Sequence, residues 1–404
     1  MKNSISLFIL SIVLLASCST KNTEEAQQQP EVSQLDSPTL AGAESGEPFL
    51  FTYQDSIVYL SWIEKKGEES TFKLSSLVDG KWTTPVTIAS GNSWFVNWAD
   101  YPMMARNQNG FIAHFLDRSA DGKFTYDVKF TTSQSAESTW ANPKILHDDG
   151  KQAEHGFVSL VPYEDKFFVT WLDGRNTVME GMENMDHGHH GEMSLRAAIL
   201  DSNGNKLDEW ELDKRTCDCC QTSAAITSTG PVVVYRDRSG EEIRDMSIVR
   251  LMNGEWTEPK SIHNDNWKIA GCPVNGPRVS AIGNTIATAW FTMASDSAQV
   301  NVIFSNDSGE IFGKSIRIDE GSPIGRVDIV LLDEQTAVVS WMEGTLIKAV
   351  KVRNDGSKES SIVISASSES RSSGFPQMTK SGNKLIFAWT DSKEKSIKLA
   401  SLTL

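Results

Sequence analysis

Two stretches of this chain concentrate side chains that bind metal ions. The first runs Met179-Glu180-Gly181-Met182-Glu183-Asn184-Met185-Asp186-His187-Gly188-His189-His190-Gly191-Glu192-Met193, with three of the seven histidines and four of the twelve methionines. The second is Cys217-Asp218-Cys219-Cys220, joined later in the chain by Cys272. Thioether and imidazole suit copper, and thiolates add copper(I) or zinc. The candidate ligands are therefore Met179, Met182, His187, His189, His190, Cys217, Cys219, Cys220 and Cys272, with copper or zinc as the implied cofactor. Cys-x-Cys-Cys is tighter than the roughly two-to-four-residue gap within each ligand pair of a structural zinc site. Oxidation competes for the same atoms: outside the cytoplasm an even set of four cysteines reads as disulfides, most simply Cys272 with Cys219 or Cys220. A solvated insertion competes with metal binding for the Met/His stretch. Both choices stay open at this level.

A second set of residues could hold an anion or move a proton. Arg175, Arg236, Arg238, Arg244, Arg278 and Arg326 offer planar paired donors suited to a carboxylate-bearing ligand. Asp117, Asp173 and Asp237 are the acid/base candidates. An arginine nearby keeps one carboxylate ionised while a more buried one stays protonated. Ion pairing between these arginines and the chain's own acids is the alternative.

These residues sit on a repeat. Phe167–Arg175, FFVTWLDGR, is a β-branched and aromatic run that ends in a large aromatic, one further residue and an acid. Related runs end at Trp62–Glu64, Phe115–Asp117, Tyr235–Asp237, Trp341–Glu343 and Trp389–Asp391, and Trp290 anchors a copy without the acid. The unit recurs at roughly fifty-residue intervals, which marks a radial β array. An acid repeated in nearly every unit is architectural before it is catalytic, since hydrolysis needs a pair of carboxylates. Asp79-Gly80-Lys81-Trp82-Thr83-Thr84-Pro85 and Asn253-Gly254-Glu255-Trp256-Thr257-Glu258-Pro259 supply a matching tight hairpin before the outer strand. The expected fold is all-β: a β-propeller of seven four-stranded blades, with six as the alternative. The blades divide at about 46–90, 99–149, 155–213, 219–265, 274–320, 324–366 and 374–404. The last lacks a fourth strand, and a strand near Ser37–Ala43 is expected to close the ring.

Ser305-Asn306-Asp307-Ser308-Gly309-Glu310-Ile311-Phe312 fits the Asp-box (BNR repeat) pattern Ser-x-Asp-x-Gly-x-x-aromatic, on Ser305, Asp307, Gly309 and Phe312. Ser133–Trp140 is a degraded copy. From about residue 46 onward the chain resembles the sialidase superfamily. That resemblance implies a structural turn at the box and a site on the opposite face, where interblade links and second-to-third-strand turns meet. It also implies arginines holding a substrate carboxylate, a glycan or other anionic ligand, and, for an enzyme, glycoside hydrolysis. The chain departs from the family in two places. No Phe/Tyr-Arg-Ile-Pro motif is present, Tyr101-Pro102-Met103-Met104 being a stand-in without the arginine, and no tyrosine follows Tyr235.

The N-terminus gives an address. Lys2 precedes an apolar run from Ile5 to Leu15, the length of a signal-peptide core. The following Leu15-Ala16-Ser17-Cys18 resembles the lipobox of bacterial lipoproteins, which implies cleavage before Cys18 and lipidation of its thiol. Residues 1–18 then form the signal peptide, 19–45 a polar flexible tether and 46–404 the propeller. Ser19 after the cysteine implies an outer-membrane lipoprotein, periplasmic or surface-exposed, with the membrane as a partner through the Cys18 anchor. A net charge of −15 argues against nucleic acid as a partner. Three functions stay in play: an envelope protein that binds a glycan or other anionic ligand, with or without hydrolysing it, a copper- or other metal-binding envelope protein, and a non-catalytic interaction scaffold. Oligomeric state is not indicated by the sequence.

Overall fold

Period-two runs of Val, Ile, Phe and Trp bounded by glycine and asparagine turns become strands throughout the computed structural model, which describes residues 31–38, 44–178 and 191–404. The strands form seven separate sheets, each an antiparallel blade. The count is seven, not six. Blade three shows the plan: His155–Tyr163, Lys166–Asp173, Ser194–Leu200 and Lys206–Asp213, paired in sequence order. Blades one and four each add a short extra pairing on the third strand.

The hairpin signatures act as read. Asp79 and Gly80 have φ of 49° and 75°, and Asn253 and Gly254 have 53° and 86°. Two consecutive left-handed residues are what a two-residue turn matched to strand twist requires. The Asp box is a turn between Gln299–Ser305 and Ile316–Arg317. Asp307 accepts from Ser305 Oγ at 2.6 Å and from the Ile311 N–H at 2.8 Å. Phe312 packs beneath it on the core between blades four and five.

The repeated aromatics fill the space between blades: Trp62, Trp171, Trp290 and Trp341 are at most 1% exposed. The repeated acid has a structural purpose. Trp62 Nε1 donates to Glu64 at 3.0 Å, Trp171 Nε1 to Asp173 at 2.7 Å and Trp341 Nε1 to Glu343 at 2.7 Å. A buried indole needs an acceptor, and the acid two residues on lies on the same strand face to provide it. In blade five, where the acid is lost, Trp290 Nε1 reaches Asp265 at 2.7 Å instead.

Closure comes from the N-terminal side, but from a different segment than expected. Val32–Leu35 pairs with Ser396–Thr403, Val32 opposite Leu402 and Leu35 opposite Leu399. The stretch read as tether therefore supplies the outer strand of blade seven, and blade one begins at Glu44. Part of the expected strand, residues 39–43, lies outside the described residues, as do Cys18 and the signal segment.

Candidate metal centres on the link face

Interblade links and the turns after second strands share one face, and links cross it to join distant blades. Gln221, leading into blade four, donates from Nε2 to the Ala99 carbonyl at 2.5 Å and accepts the Gly276 N–H at 2.9 Å. Links before blades two, four and five are thereby tied together. Three first strands carry bulges next to this face, at Glu47, Phe157 and Arg326, and the last two have φ of 51° and 54°. For Phe157 and Arg326 a side chain from the link into the neighbouring earlier blade catches the N–H: Asp100 Oδ1 takes Phe157 at 2.8 Å and Asn275 Oδ1 takes Arg326 at 2.8 Å. The glycine ahead of each of these two bulges is required sterically. A Cβ on Gly156 would stand 2.1 Å from Asp100 Oδ2, and one on Gly325 would stand 2.3 Å from Asn275 Oδ1.

The six arginines are placed on this face but do not converge as a free triad. Arg175 pairs with Asp173 through Nε and Nη2, both at 2.8 Å, and lies 3.2 Å from Asp149. Arg238 pairs with Glu242 at 2.8 Å and reaches Asp218 at 3.4 Å. Arg244 pairs with Glu242 at 2.9 Å. Arg236 is fully buried, its guanidinium donating to the carbonyls of Arg244, Asn275 and Phe291 between 2.7 and 3.2 Å. Arg326 is held by Ser373 Oγ at 2.7 Å and the Gly374 and Glu369 carbonyls, both at 3.0 Å, over the Trp98 ring. Arg278 is buried over Tyr101, and its Nη2 has no hydrogen-bond partner.

The three candidate acids lie in three blades with separate partners. Asp117 takes Ser93 Oγ at 2.5 Å and Lys129 Nζ at 2.6 Å. Burial would push Asp173 up, but hydrogen bonds from Arg175 and the charge of His155 bring it below the usual carboxylate range. Burial, reinforced by Asp213, raises Asp237 to about 6.

What the face does assemble is sulfur. Cys217 and Cys220 are 1% and 2% exposed, with sulfurs 3.6 Å apart, and Cys219 Sγ lies 4.0 Å from Cys217 Sγ. These separations are far beyond the roughly 2.05 Å of a disulfide, and the four cysteines among the described residues are free thiols. One ligand atom from each of Cys217, Cys219 and Cys220 falls within 4.8 Å of the others. Cys272, from the next link, hydrogen-bonds Cys219 and is exposed, so the group reaches the surface. Hydrogen bonds from Cys219 and Cys220 hold the Cys217 thiol well below its ordinary range, and the charges of Arg236 and Arg244 add to this. Arg244 Nη1 donates directly to Cys217 Sγ at 3.2 Å. Burial pushes Cys220 the other way, to about 12. Met179, Met182, His187, His189 and His190 lie outside the described residues.

A second constellation, which the sequence does not announce, lies between blades two and three. The His147 and His155 rings stack 3.5 Å apart at 5°. Asp127, Asp149 and Asp173 surround them. A pair of histidines at the blade junction, with His147-Asp148-Asp149 just upstream of His155, was the available signal.

No protein-family model matches the sequence, and no curated protein is significantly similar to it. Solved structures do match. Polysaccharide lyase Uly1 aligns with a TM-score of 0.52 at 8% identity, over 89% of this chain and 89% of the lyase. A point mutant of the NanB sialidase from Streptococcus pneumoniae gives 0.45 at 10%, over 93% and 92%. The Penicillium chrysogenum alpha-L-arabinanase gives 0.47 at 10%, over 93% and 99%. The fold is a seven-bladed β-propeller, and its architecture is shared with the lyase. At these identities the likeness is one of architecture, and the chemistry has to come from this chain's own residues.

Proposed function

We propose that this protein binds a soft metal ion, copper(I) foremost, at Cys217, Cys219, Cys220 and Cys272. The observation that carries the reading is the buried triad of sulfurs with Arg244 donating to Cys217. Thiolates select copper(I) or zinc, and a guanidinium beside the most acidic thiol lowers the cost of holding that anion out of water. Met179, Met182, His187, His189 and His190 extend the ligand set with thioether and imidazole donors. We place the protein at the outer membrane through a lipidated Cys18, which makes it an envelope metal-handling lipoprotein. Radiolabelled palmitate incorporated by wild type and lost in Cys18→Ser would support the anchor, and equal labelling of both would remove it. Copper content is measured on protein isolated anaerobically from the envelope. Bound copper lost in a Cys217→Ser/Cys219→Ser variant is the expected result. Disulfides in place of thiols, with no metal, would overturn the reading.

A second reading, an acidic glycan as ligand, has its own support. The exposed guanidinium of Arg371 lies 6.0 Å from the half-buried Trp98 ring, a cation beside an aromatic suited to a sugar and its carboxylate. The fold is shared with an enzyme described as a polysaccharide lyase. Binding of uronic-acid oligosaccharides that Trp98→Ala abolishes is expected on this reading, and equal binding by both proteins would exclude it.

A further inference from the structure

We infer that Ser315, His263 and Asp265 form a nucleophile–base–orienter relay on the outer rim between blades four and five, which hydrolyses esters of small acyl groups. Ser315 lies just ahead of the fourth strand of blade five, Ile316–Arg317. His263 and Asp265 follow the last strand of blade four, Lys260–Ser261. His263 Nδ1 is 2.8 Å from Asp265 Oδ1, and His263 Nε2 is 3.1 Å from Ser315 Oγ. The three share no residue with the cysteine cluster or with the Trp98–Arg371 pair, so the relay can fail without either, and either without it.

The chain of bonds runs in one direction. An ionised carboxylate only accepts, so the neutral His263 ring carries its proton on Nδ1 and presents a lone pair at Nε2. Ser315 then donates its hydroxyl proton to that lone pair, the arrangement in which an imidazole activates a serine oxygen. Asp265 is held from its other side, where Oδ2 accepts Trp290 Nε1 at 2.7 Å. Trp290 is fully buried and the Asp265 side chain is 6% exposed, whereas the His263 side chain is 36% exposed. The orienting acid is thus anchored in the core and the reacting end is open to solvent. Trp290 needs one acceptor, and Oδ2 supplies it. The remaining bonds, from Oδ1 through His263 to Ser315, add little to stability at a site where water competes for the same groups.

In the reaction Ser315 Oγ attacks the acyl carbon while its proton passes to His263 Nε2. The tetrahedral adduct collapses as His263 gives that proton to the departing alkoxide, which leaves the acyl group on Ser315 as an ester. Water then attacks the acyl carbon and loses a proton to Nε2. Ser315 Oγ departs, takes that proton back, and the carboxylic acid is released. Water is the only reagent consumed. The backbone N–H of Ser315 has no partner among the described residues, because Ile316–Arg317 is the outermost strand of its blade, and it is available to the oxyanion. An outer edge admits a small acyl group carried on a bulky alcohol, such as a polymer hydroxyl, without that alcohol entering the protein.

Full-length protein is assayed for p-nitrophenyl acetate hydrolysis and for labelling by a fluorophosphonate, which reacts with activated serines and leaves cysteine thiols alone. Mass spectrometry locates the label. The wild type is expected to turn over the ester and to carry the label on Ser315. Ser315→Ala should lose the label and roughly a thousandfold or more in turnover. Asp265→Asn separates orienting from folding. Its amide oxygen still accepts from Trp290, but its NH₂ donates to His263 Nδ1 and moves the ring proton to Nε2, where Ser315 can no longer donate. Its kcat should fall by roughly 10⁴ with KM unchanged, while thermal unfolding stays near that of wild type. A wild type that neither hydrolyses the ester nor takes the label, or hydrolysis and labelling that survive in Ser315→Ala, overturns the relay and leaves these bonds as a tie between two blades.

Discussion

Asp100 holds the Phe157 N–H with one oxygen while the other is buried without a partner. Burial raises this carboxyl from 3.8 to about 8. The unfolded chain releases the proton from about pH 4 upward and the folded chain retains it to about pH 8, so folding loses stability as pH rises through that window. Asp100→Asn keeps an acceptor for Phe157 and removes the ionisation. Its Tm is expected to exceed wild type at pH 7.5 and to match it near pH 4, as read by thermal unfolding. A gap that does not grow with pH would refute the assignment. Trp62→Phe tests the aromatic–acid pairing: it leaves Glu64, 8% exposed, without its indole donor, at a cost of about 1–3 kcal/mol in denaturant unfolding. At this scale the sequence was informative about residue type and weak about direction. The aromatic-x-acid repeat reads correctly as architecture, because two residues along a strand return to the same face. The arginines read only as present on a face. Which way a guanidinium turns depends on acceptors such as the Asn275 and Phe291 carbonyls that Arg236 finds in the neighbouring blade.

Blades were legible because each element carries its own punctuation: Asp-Gly and Asn-Gly turns, a proline opening the outer strand, and the Asp box. The closing strand was not. Val32-Ser33-Gln34-Leu35 is four residues long, sits in polar surroundings and buries little. Its stability comes from the backbone pairing it completes on Ser396–Thr403. A chain shortened to begin at residue 37 leaves that strand as an open edge, a template for pairing with other chains. A lower Tm with concentration-dependent association in light scattering is expected. A shortened chain as stable and monodisperse as wild type would show that Val32–Leu35 contributes nothing to closure.

For the molecule as a whole, the propeller brings distant residues to one face, and only part of that assembly could be foreseen. Cys217, Cys219, Cys220 and Cys272 were recognisable because link residues of adjacent blades share a face. His147 and His155 were not, because their meeting with Asp127 depends on how two blades pack rather than on any spacing in the chain. The resulting face holds a sulfur cluster and a nitrogen/oxygen cluster in neighbouring blade junctions. Its arginines are largely engaged by carboxylates, carbonyls and one thiol rather than held free for a substrate carboxylate. The central claim, a soft-metal site in the cysteine cluster, is tested most directly by anaerobic copper(I) titration of the full-length protein against a colorimetric copper(I) chelator. The wild type should hold one copper(I) per chain, and Cys217→Ser/Cys219→Ser should weaken it roughly a hundredfold or more. Failure of the wild type to compete for copper(I) with its thiols reduced would contradict the account.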